Sequence, residues 1–129
     1  MKRYNRNKYN SRKVVYDGIE FDSVKERNRY MDLKWQQEIG EISGLRLQVR
    51  YELIPEKREP DIIGKRGGVK KGKLIERSCE YVADFVYFDK DENLVVEDVK
   101  GYRQEAAYKI FVIKRKLMLH VHGIRVQEV

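Results

Sequence analysis

The chain has 129 residues, of which 38% are charged and 41% hydrophobic, a composition typical of one globular domain rather than of a disordered chain. It contains no apolar run near the roughly 20 residues of a membrane span and no apolar leader near its start, so we expect a cytoplasmic protein without membrane contact. The lone cysteine, Cys79, excludes a disulfide or a cysteine zinc site within one chain.

The charge is unevenly distributed. The net charge is +7 with a pI near 9.4, and residues 1–13 carry only basic charges. A polyanion that binds such a patch releases condensed counterions, so nucleic acid is the leading candidate partner. A solvated basic surface would have the same composition, and charge alone does not decide between them. We divide the chain into a basic N-terminal arm, 1–13, and a single domain, 14–129.

A hairpin and a helix are expected to open the domain. Asp17-Gly18 lies between β-forming residues and predicts a two-residue turn within 14–21. Ser23 and Glu26 form a capping-box pattern at the start of a helix over about 22–39. Apolar residues recur at helical spacing along it and predict its packing face: Val24, Met31, Trp35 and Ile39.

A strand and a basic segment follow the helix. Apolar and polar residues alternate from Leu45 to Leu53, which predicts a strand with one buried face. Residues 55–73 are polar, basic and glycine-bearing, and we expect a long loop that can contact a phosphate backbone. The segment 67–73 resembles a nucleotide-binding phosphate loop, but Leu74 stands where that motif needs serine or threonine, so we set this interpretation aside.

The second half of the domain predicts strand, turn, strand, helix and strand. We expect strands over 74–88 and 94–100 joined by a turn at 89–93, and a helix from 103 to about 120 that ends before Gly123. A last strand over 124–129 would return parallel through a crossover. The fold class is therefore α/β (α+β), in the order helix, three strands, helix, strand.

The predicted register of the strand pair brings two carboxylates together. A turn centred on Asp91 pairs Val86 with Val96 and Asp84 with Asp98, and side-chain alternation then places both aspartates and Lys100 on one face. Opposed carboxylates repel each other unless a positive group lies between them, and oxygen ligands suit Mg²⁺ or Mn²⁺. A plain Asp–Lys ion pair is the alternative; it is less favoured because both aspartates interrupt apolar faces.

Glu26 and Gln48 remain open at this point. Glu26 is explained by its capping role, yet it lies on the helix side that carries Tyr30 and Leu33, so a third metal carboxylate is an option. Gln48 points to the polar face of its strand, where solvent exposure is the favoured interpretation and a site role the lesser one.

With these residues in place, the chain resembles the PD-(D/E)xK nuclease superfamily from about Phe21 onward. The matching features are Glu26 on an opening helix, Asp84 in Tyr81-Val-Ala-Asp-Phe85, and Asp98-Val-Lys100 in Val95-Val-Glu-Asp-Val-Lys-Gly101. These two sequence motifs are similar to those of small phage-encoded proteins, of phage junction-resolving endonucleases, and of endonuclease subunits of some transposition systems. Ala83 replaces the motif's proline, which is not a ligand.

The resemblance implies a restriction-endonuclease-like core, with a mixed central sheet flanked by helices. It implies a Mg²⁺- or Mn²⁺-dependent endodeoxyribonuclease with Glu26, Asp84, Asp98 and the Val99 carbonyl as metal ligands and Lys100 as the catalytic lysine. Branched or Holliday-junction DNA is the expected substrate, and symmetrical junction cutting would need a homodimer. The alternative is a non-catalytic nucleic-acid-binding accessory protein with the same fold. The residues expected to contact DNA are Arg12, Lys13, Lys70, Lys71, Lys73 and Lys114.

Overall fold

The computed structural model describes residues 13–101 and 105–129. The basic arm, apart from Lys13, lies outside the described residues. The two helices are α1 (Val24–Glu38) and α2 (Glu105–His122). The ten strands are β1 (Val14–Tyr16), β2 (Ile19–Phe21), β3 (Ser43–Ile54), β4 (Lys57–Arg58), β5 (Ile62–Ile63), β6 (Val69–Lys70), β7 (Leu74–Glu76), β8 (Cys79–Phe88), β9 (Leu94–Asp98) and β10 (Gln127–Glu128).

The predicted opening hairpin is confirmed. β1 pairs antiparallel with β2, and both turn residues have positive φ, 57° at Asp17 and 74° at Gly18, as a type I′ turn requires. The Tyr30 hydroxyl donates to the Asp17 carboxylate over 3.0 Å, and Lys34 forms an ion pair with the same group. The turn is thereby fastened to α1.

A mixed four-stranded sheet forms the centre, in the order β10-β9-β8-β3. The β3–β8 and β8–β9 pairs are antiparallel and β10–β9 is parallel, so the expected parallel return of the chain is confirmed. Gly123 follows α2 with a φ of +67° and donates to the Leu119 carbonyl, which ends the helix as predicted. Neither described helix has the length and apolar character that a membrane span requires. The class is mixed α+β.

Each helix packs on its own hydrophobic cluster. The α1-side cluster consists of Phe21, Tyr30, Leu33, Ile42, Phe85 and Tyr87. The α2-side cluster consists of Leu53, Tyr81, Ala83, Val86, Val96, Phe111, Met118 and Val126. The sheet contributes to both clusters, and their division along β3 and β8 determines where polar groups can meet.

The predicted packing face of α1 is wrong, although the helix bounds are close to those expected. The proposed apolar stripe is exposed, with Trp35 at 62% and Ile39 at 52%. The buried face instead carries Glu26, Tyr30 and Leu33, spaced four and three residues apart. This face packs on the sheet because it meets the aromatic residues Phe85 and Tyr87, and Glu26 is turned toward the sheet as a result.

The prediction of one buried face for the first core strand is also wrong. Leu45 and Leu47 pack on the α1-side cluster, whereas Val49, Tyr51 and the buried Leu53 belong to the α2 side. Strict alternation would keep all of them together. The change falls at Gln48, whose φ of +51° is in the left-handed region, and β3 turns its other side to the core beyond that residue.

β8 changes face opposite the same point. Tyr81 and Ala83 belong to the α2-side cluster, but Phe85 and Tyr87 belong to the α1 side. The pairing of β3 with β8 runs through this point without a shift, with Leu47 opposite Phe85 and Val49 opposite Ala83. Gln48 and Asp84 therefore lie opposite each other where both strands change face, and we call this position the switch point.

The expected loop over 55–73 is instead structured. β4 pairs with β7 and β5 pairs with β6, so residues 55–78 form two short antiparallel ribbons, which we call the β-arm. The expected single strand over 74–88 is correspondingly divided into β7 and β8. The sequence lacks a strand signal here because the ribbons bury almost nothing and their residues are nearly all exposed.

Candidate functional site

The Gln48 amide connects two carboxylates at the switch point. Its Nε2 donates to Glu26 Oε1 and to Asp84 Oδ1, each over 3.2 Å. The left-handed backbone of Gln48 places this amide between α1 and β8. A non-glycine residue in that conformation costs about 1 kcal/mol or more, and such outliers are concentrated at functional sites.

Glu26 is a buried acid in the first turn of α1, with 7% of its surface exposed. The Ser23 hydroxyl accepts a hydrogen bond from the Glu26 amide over 3.1 Å, so the predicted cap is confirmed. The Glu26 side chain does not complete the expected box; it accepts from the Asp22 amide and lies against Asp84. Burial, and after it the Asp84 charge, raises the Glu26 pKa to about 7.

Asp84 is half-buried and accepts from several donors. The Val99 amide donates to its Oδ2 over 2.8 Å, and the Glu26 carboxyl is a further hydrogen-bonding partner. Burial raises the Asp84 pKa above its ordinary value, the Val99 hydrogen bond opposes this, and the nearby Asp98 charge raises it further. Glu26 and Asp84 are therefore two adjacent acids that favour a shared proton or a cation.

Asp98 and Lys100 form an ion pair on the α2 side. Lys100 Nζ lies 2.7 Å from Asp98 Oδ1 and 3.5 Å from the centroid of the Phe111 ring. The Tyr81 hydroxyl donates to Asp98 Oδ2 over 2.7 Å, and burial together with this carboxylate raises the Tyr81 pKa. Backbone hydrogen bonds of 3.0 Å link Val129 to both Asp98 and Lys100.

The predicted hairpin register is confirmed as far as it is paired. Val86 lies opposite Val96 and Phe85 opposite Glu97, so Asp84 and Asp98 come one step beyond the last pair. Asp84 lies near the charge of Asp98, and its carboxylate also meets Glu26 of α1. Asp98 is held by Tyr81 and by Lys100, and the contact of Asp84 with α1 follows from the change of face of β8 between Ala83 and Phe85.

Glu97 is engaged elsewhere. Arg29 donates to both of its carboxylate oxygens, over 2.8 and 2.6 Å, and the Tyr87 hydroxyl donates to it as well. Only 1% of the Glu97 surface is exposed. Glu97 therefore points to the α1 side and Asp98 to the other, as strand alternation predicts.

The remaining predicted residues lie apart from these carboxylates. Lys13 pairs with Glu20 over 3.5 Å, and Lys114 is half-buried on α2. Lys70, Lys71 and Lys73 lie on the β-arm, and Arg12 lies outside the described residues.

Sequence reasoning missed three contributors to the site. These are Gln48 as a bridge, Tyr81 as the partner of Asp98, and Lys25, whose Nζ donates to the Lys100 carbonyl. Tyr81 stands three residues before Asp84, but strict alternation assigns it to the wrong face. Nothing local in the sequence marks Gln48.

The carboxylates at the switch point offer a partial donor set for a divalent cation. Within residues 13–101 and 105–129, no three Asp, Glu, His or Cys side chains stand close enough to enclose a metal ion. The acids present offer only oxygen atoms, the ligands that Mg²⁺ and Mn²⁺ prefer, and the Glu26–Asp84 pair is adjacent and electrostatically unfavourable when fully ionised. This pair fits a hard cation in place of a shared proton.

Fold and site together define a mixed α+β protein with a carboxylate pair at a change of strand face and a lysine–aspartate pair beside it. The chain belongs to a family described as a protein of unknown function, DUF1064, which it matches over residues 6–127. No curated protein and no solved structure matches the chain.

Proposed function

We propose that the chain is a metal-dependent endodeoxyribonuclease with a restriction-endonuclease-like core, of the PD-(D/E)xK kind. The observation that carries the proposal is the Glu26–Gln48–Asp84 bridge at the switch point, with Asp98 and Lys100 next along the neighbouring strand. Two adjacent acids with raised pKa values destabilise the folded chain when both are ionised, and such pairs are concentrated at functional sites.

The residues that would hold Mg²⁺ or Mn²⁺ are the adjacent Glu26 and Asp84. Asp98 and the Val99 carbonyl are the further ligands that the resemblance implies. The bound cation supplies a Lewis acid for the scissile phosphate and lowers the pKa of a coordinated water. The Val99 amide holds Asp84 through Oδ2, and Gln48 holds Oδ1, so the carboxylate is oriented before any ligand arrives.

Lys100 is the proposed catalytic lysine. Its amine is half-buried, anchored by Asp98 and stacked on Phe111, so its position is restricted. There it can orient the attacking water and stabilise the negative charge that develops on the phosphate. Tyr81 is a positioning residue, because it holds the far oxygen of Asp98 and leaves Oδ1 to Lys100.

The substrate proposal is DNA of branched or junction structure, in a phage-related recombination setting, with a homodimer for paired incisions. It rests on the net charge of +7 and on the amino-acid sequences of the two strand motifs around Asp84 and Asp98. Basic groups on the β-arm and on α2 would hold the phosphate backbone without reading sequence.

The test is cleavage of linear, nicked, flapped and four-way DNA in Mg²⁺ and in Mn²⁺. We expect cutting of at least one branched substrate by the wild type, and a loss of about 100-fold or more in Asp84→Asn and in Lys100→Ala. Asp91→Asn, the same change at the exposed hairpin turn, is the control and should cut normally. If the wild type binds DNA but cuts none of these substrates, the result would favour the non-catalytic accessory protein instead.

A further inference from the structure

We infer that the tip of the β-arm is a preformed duplex-DNA reader, a two-stranded ribbon that enters the major groove. The inference rests on the proposed function, because it takes DNA as the partner. It does not require that the chain cleaves DNA. It names which part of the chain grips the substrate and how.

The tip has a defined turn. The Gly67 amide donates to the Gly64 carbonyl over 3.0 Å, and the Gly64 amide donates to the Gly68 carbonyl over 2.7 Å. Lys65 and Arg66 occupy the two central positions, and Gly67 follows with a φ of +81°. This is the arrangement of a type I turn with a G1 bulge, and it holds both cations at the outermost point of the ribbon.

The ribbon presents apolar side chains that the rest of the chain does not cover. Ile63 pairs with Val69, and their side chains are 75% and 69% exposed. On the other side of the same ribbon Ile62, 61% exposed, pairs with Lys70. These β-branched residues belong to neither hydrophobic cluster, and grouped exposed apolar side chains of this kind indicate a surface that a partner covers.

The charge around these apolar residues favours a polyanion as the covering partner. Residues 62–73 contain no acidic residue, and their basic residues are Lys65, Arg66, Lys70, Lys71 and Lys73. Lys71 has an ion-pair partner, Glu56, at 3.5 Å. Across the described parts of the chain, the other four have no acidic partner within 4.0 Å, and their charges are available to phosphates.

The two ribbons of the arm are held together by a close backbone contact. Gly72 is buried, and a β-carbon added there would lie 1.8 Å from the Glu59 carbonyl oxygen. The Gly72 amide donates to the Asp61 carboxylate over 3.0 Å, and Arg58 donates to the Gly72 carbonyl over 3.1 Å. The tip ribbon therefore has a fixed direction relative to the ribbon at the base of the arm, which reduces the ordering cost of binding.

The arm is connected to the strand that carries the candidate site. It leaves the sheet at Ile54 and rejoins it at Cys79, five residues from Asp84 along β8. At the rise of a strand, the base of the arm is roughly 17 Å from Asp84. The major groove admits a two-stranded ribbon, where basic tip residues meet phosphates or guanine and apolar side chains meet thymine methyl groups.

The experiment measures the affinity of the full chain for a fluorescent linear duplex in EDTA across a salt series, so that binding is read without cleavage. Lys65→Ala should weaken binding about 3- to 10-fold and reduce the slope of log affinity against log salt by about 1. Ile63→Ser/Val69→Ser should weaken binding about 10-fold with the salt slope unchanged, because apolar contacts release no counterions. Lys90→Ala is the matched control, since Lys90 lies in the hairpin turn at the other end of β8 and should bind as wild type.

Three results would overturn the inference: no duplex binding by the wild type, tip variants that bind like Lys90→Ala, or weakening by the charge change alone. A shift of Ile63→Ser/Val69→Ser to a smaller assembly with unchanged DNA affinity would likewise overturn it and assign the tip to a second copy of the chain. Cleavage in Mg²⁺ is measured separately. Binding without cleavage contradicts only the nuclease proposal, and cleavage with unaffected tip variants contradicts only the role of the arm.

Discussion

Gln48 shows how one residue can organise a polar site inside a sheet. Its φ of +51° breaks the alternation of β3, and its amide then reaches both Glu26 and Asp84. Amide donors satisfy the carboxylates without adding charge, so the pair keeps its tendency to bind a proton or a cation. The strained backbone of Gln48 and the raised pKa values of Glu26 and Asp84 occur at the same place, and we propose that both serve to bind a cation there.

The titration of Glu26 gives a prediction at this scale. Its pKa is raised from 4.5 to about 7 in the folded chain, so the folded state binds a proton that the unfolded state releases earlier. Stability from this group is complete below about pH 4.5 and is lost as the pH rises through about 7. In EDTA, Glu26→Gln should therefore increase the free energy of unfolding at pH 8 by roughly 1–2 kcal/mol, after allowance for solvent screening, and change it little at pH 4.5.

Urea denaturation at the two pH values measures this difference. Glu38→Gln, an exposed position at the end of the same helix, is the control and should leave both values unchanged. A Glu26→Gln chain that is less stable than wild type at pH 8 would contradict the assigned pKa direction.

At the scale of elements, the sequence predicts best where a local signal determines the structure. The Asp17-Gly18 turn, the Ser23 cap, the strand pair around Asp91 and the Gly123 stop all have such signals, and all are found. The buried face of α1 and the two faces of β3 are decided by which neighbour each side chain meets. Periodicity cannot contain that information, so it places Trp35 in the core and Gln48 in solvent.

The site follows the same division. Asp98 and Lys100 could be found from spacing, and Glu97 could be set aside for the same reason. The meeting of Glu26 with Asp84 requires the change of face in β8, which is a tertiary effect. The β-arm was missed because ribbons without a core lack the alternation of a buried strand.

The β-arm gives a prediction at this scale. Gly72→Ala places a methyl group against the Glu59 carbonyl and must move the tip ribbon relative to the ribbon at the base of the arm. We expect duplex affinity in EDTA to fall about as much as in the tip variants, although Gly72 itself touches no DNA. The thermal midpoint should drop by only a few degrees, because the arm contributes nothing to the two clusters.

Gly68→Ala is the control for this change. An added β-carbon at Gly68 meets nothing within 4 Å, and the residue lies in the same arm. Equal DNA affinity in Gly72→Ala and Gly68→Ala would show that the direction of the arm is unimportant.

At the scale of the whole molecule, the two clusters, the sheet and the arm have separate roles. The clusters fix α1 and α2 on the sheet, the switch point brings acids from α1 and β8 together, and the arm extends from the end of β3 and the start of β8. A net charge of +7 surrounds a site whose own groups are mainly acidic. This contrast suits a protein that attracts a polyanion and places a cation at the point of contact.

Calorimetric titration with Mn²⁺ at pH 8 tests the metal-binding claim most directly. We expect saturable binding by the wild type, unchanged binding by Asp91→Asn, and a loss of about 10-fold or more in affinity for Asp84→Asn. No binding by the wild type, or equal binding by Asp84→Asn, would contradict the proposed metal centre.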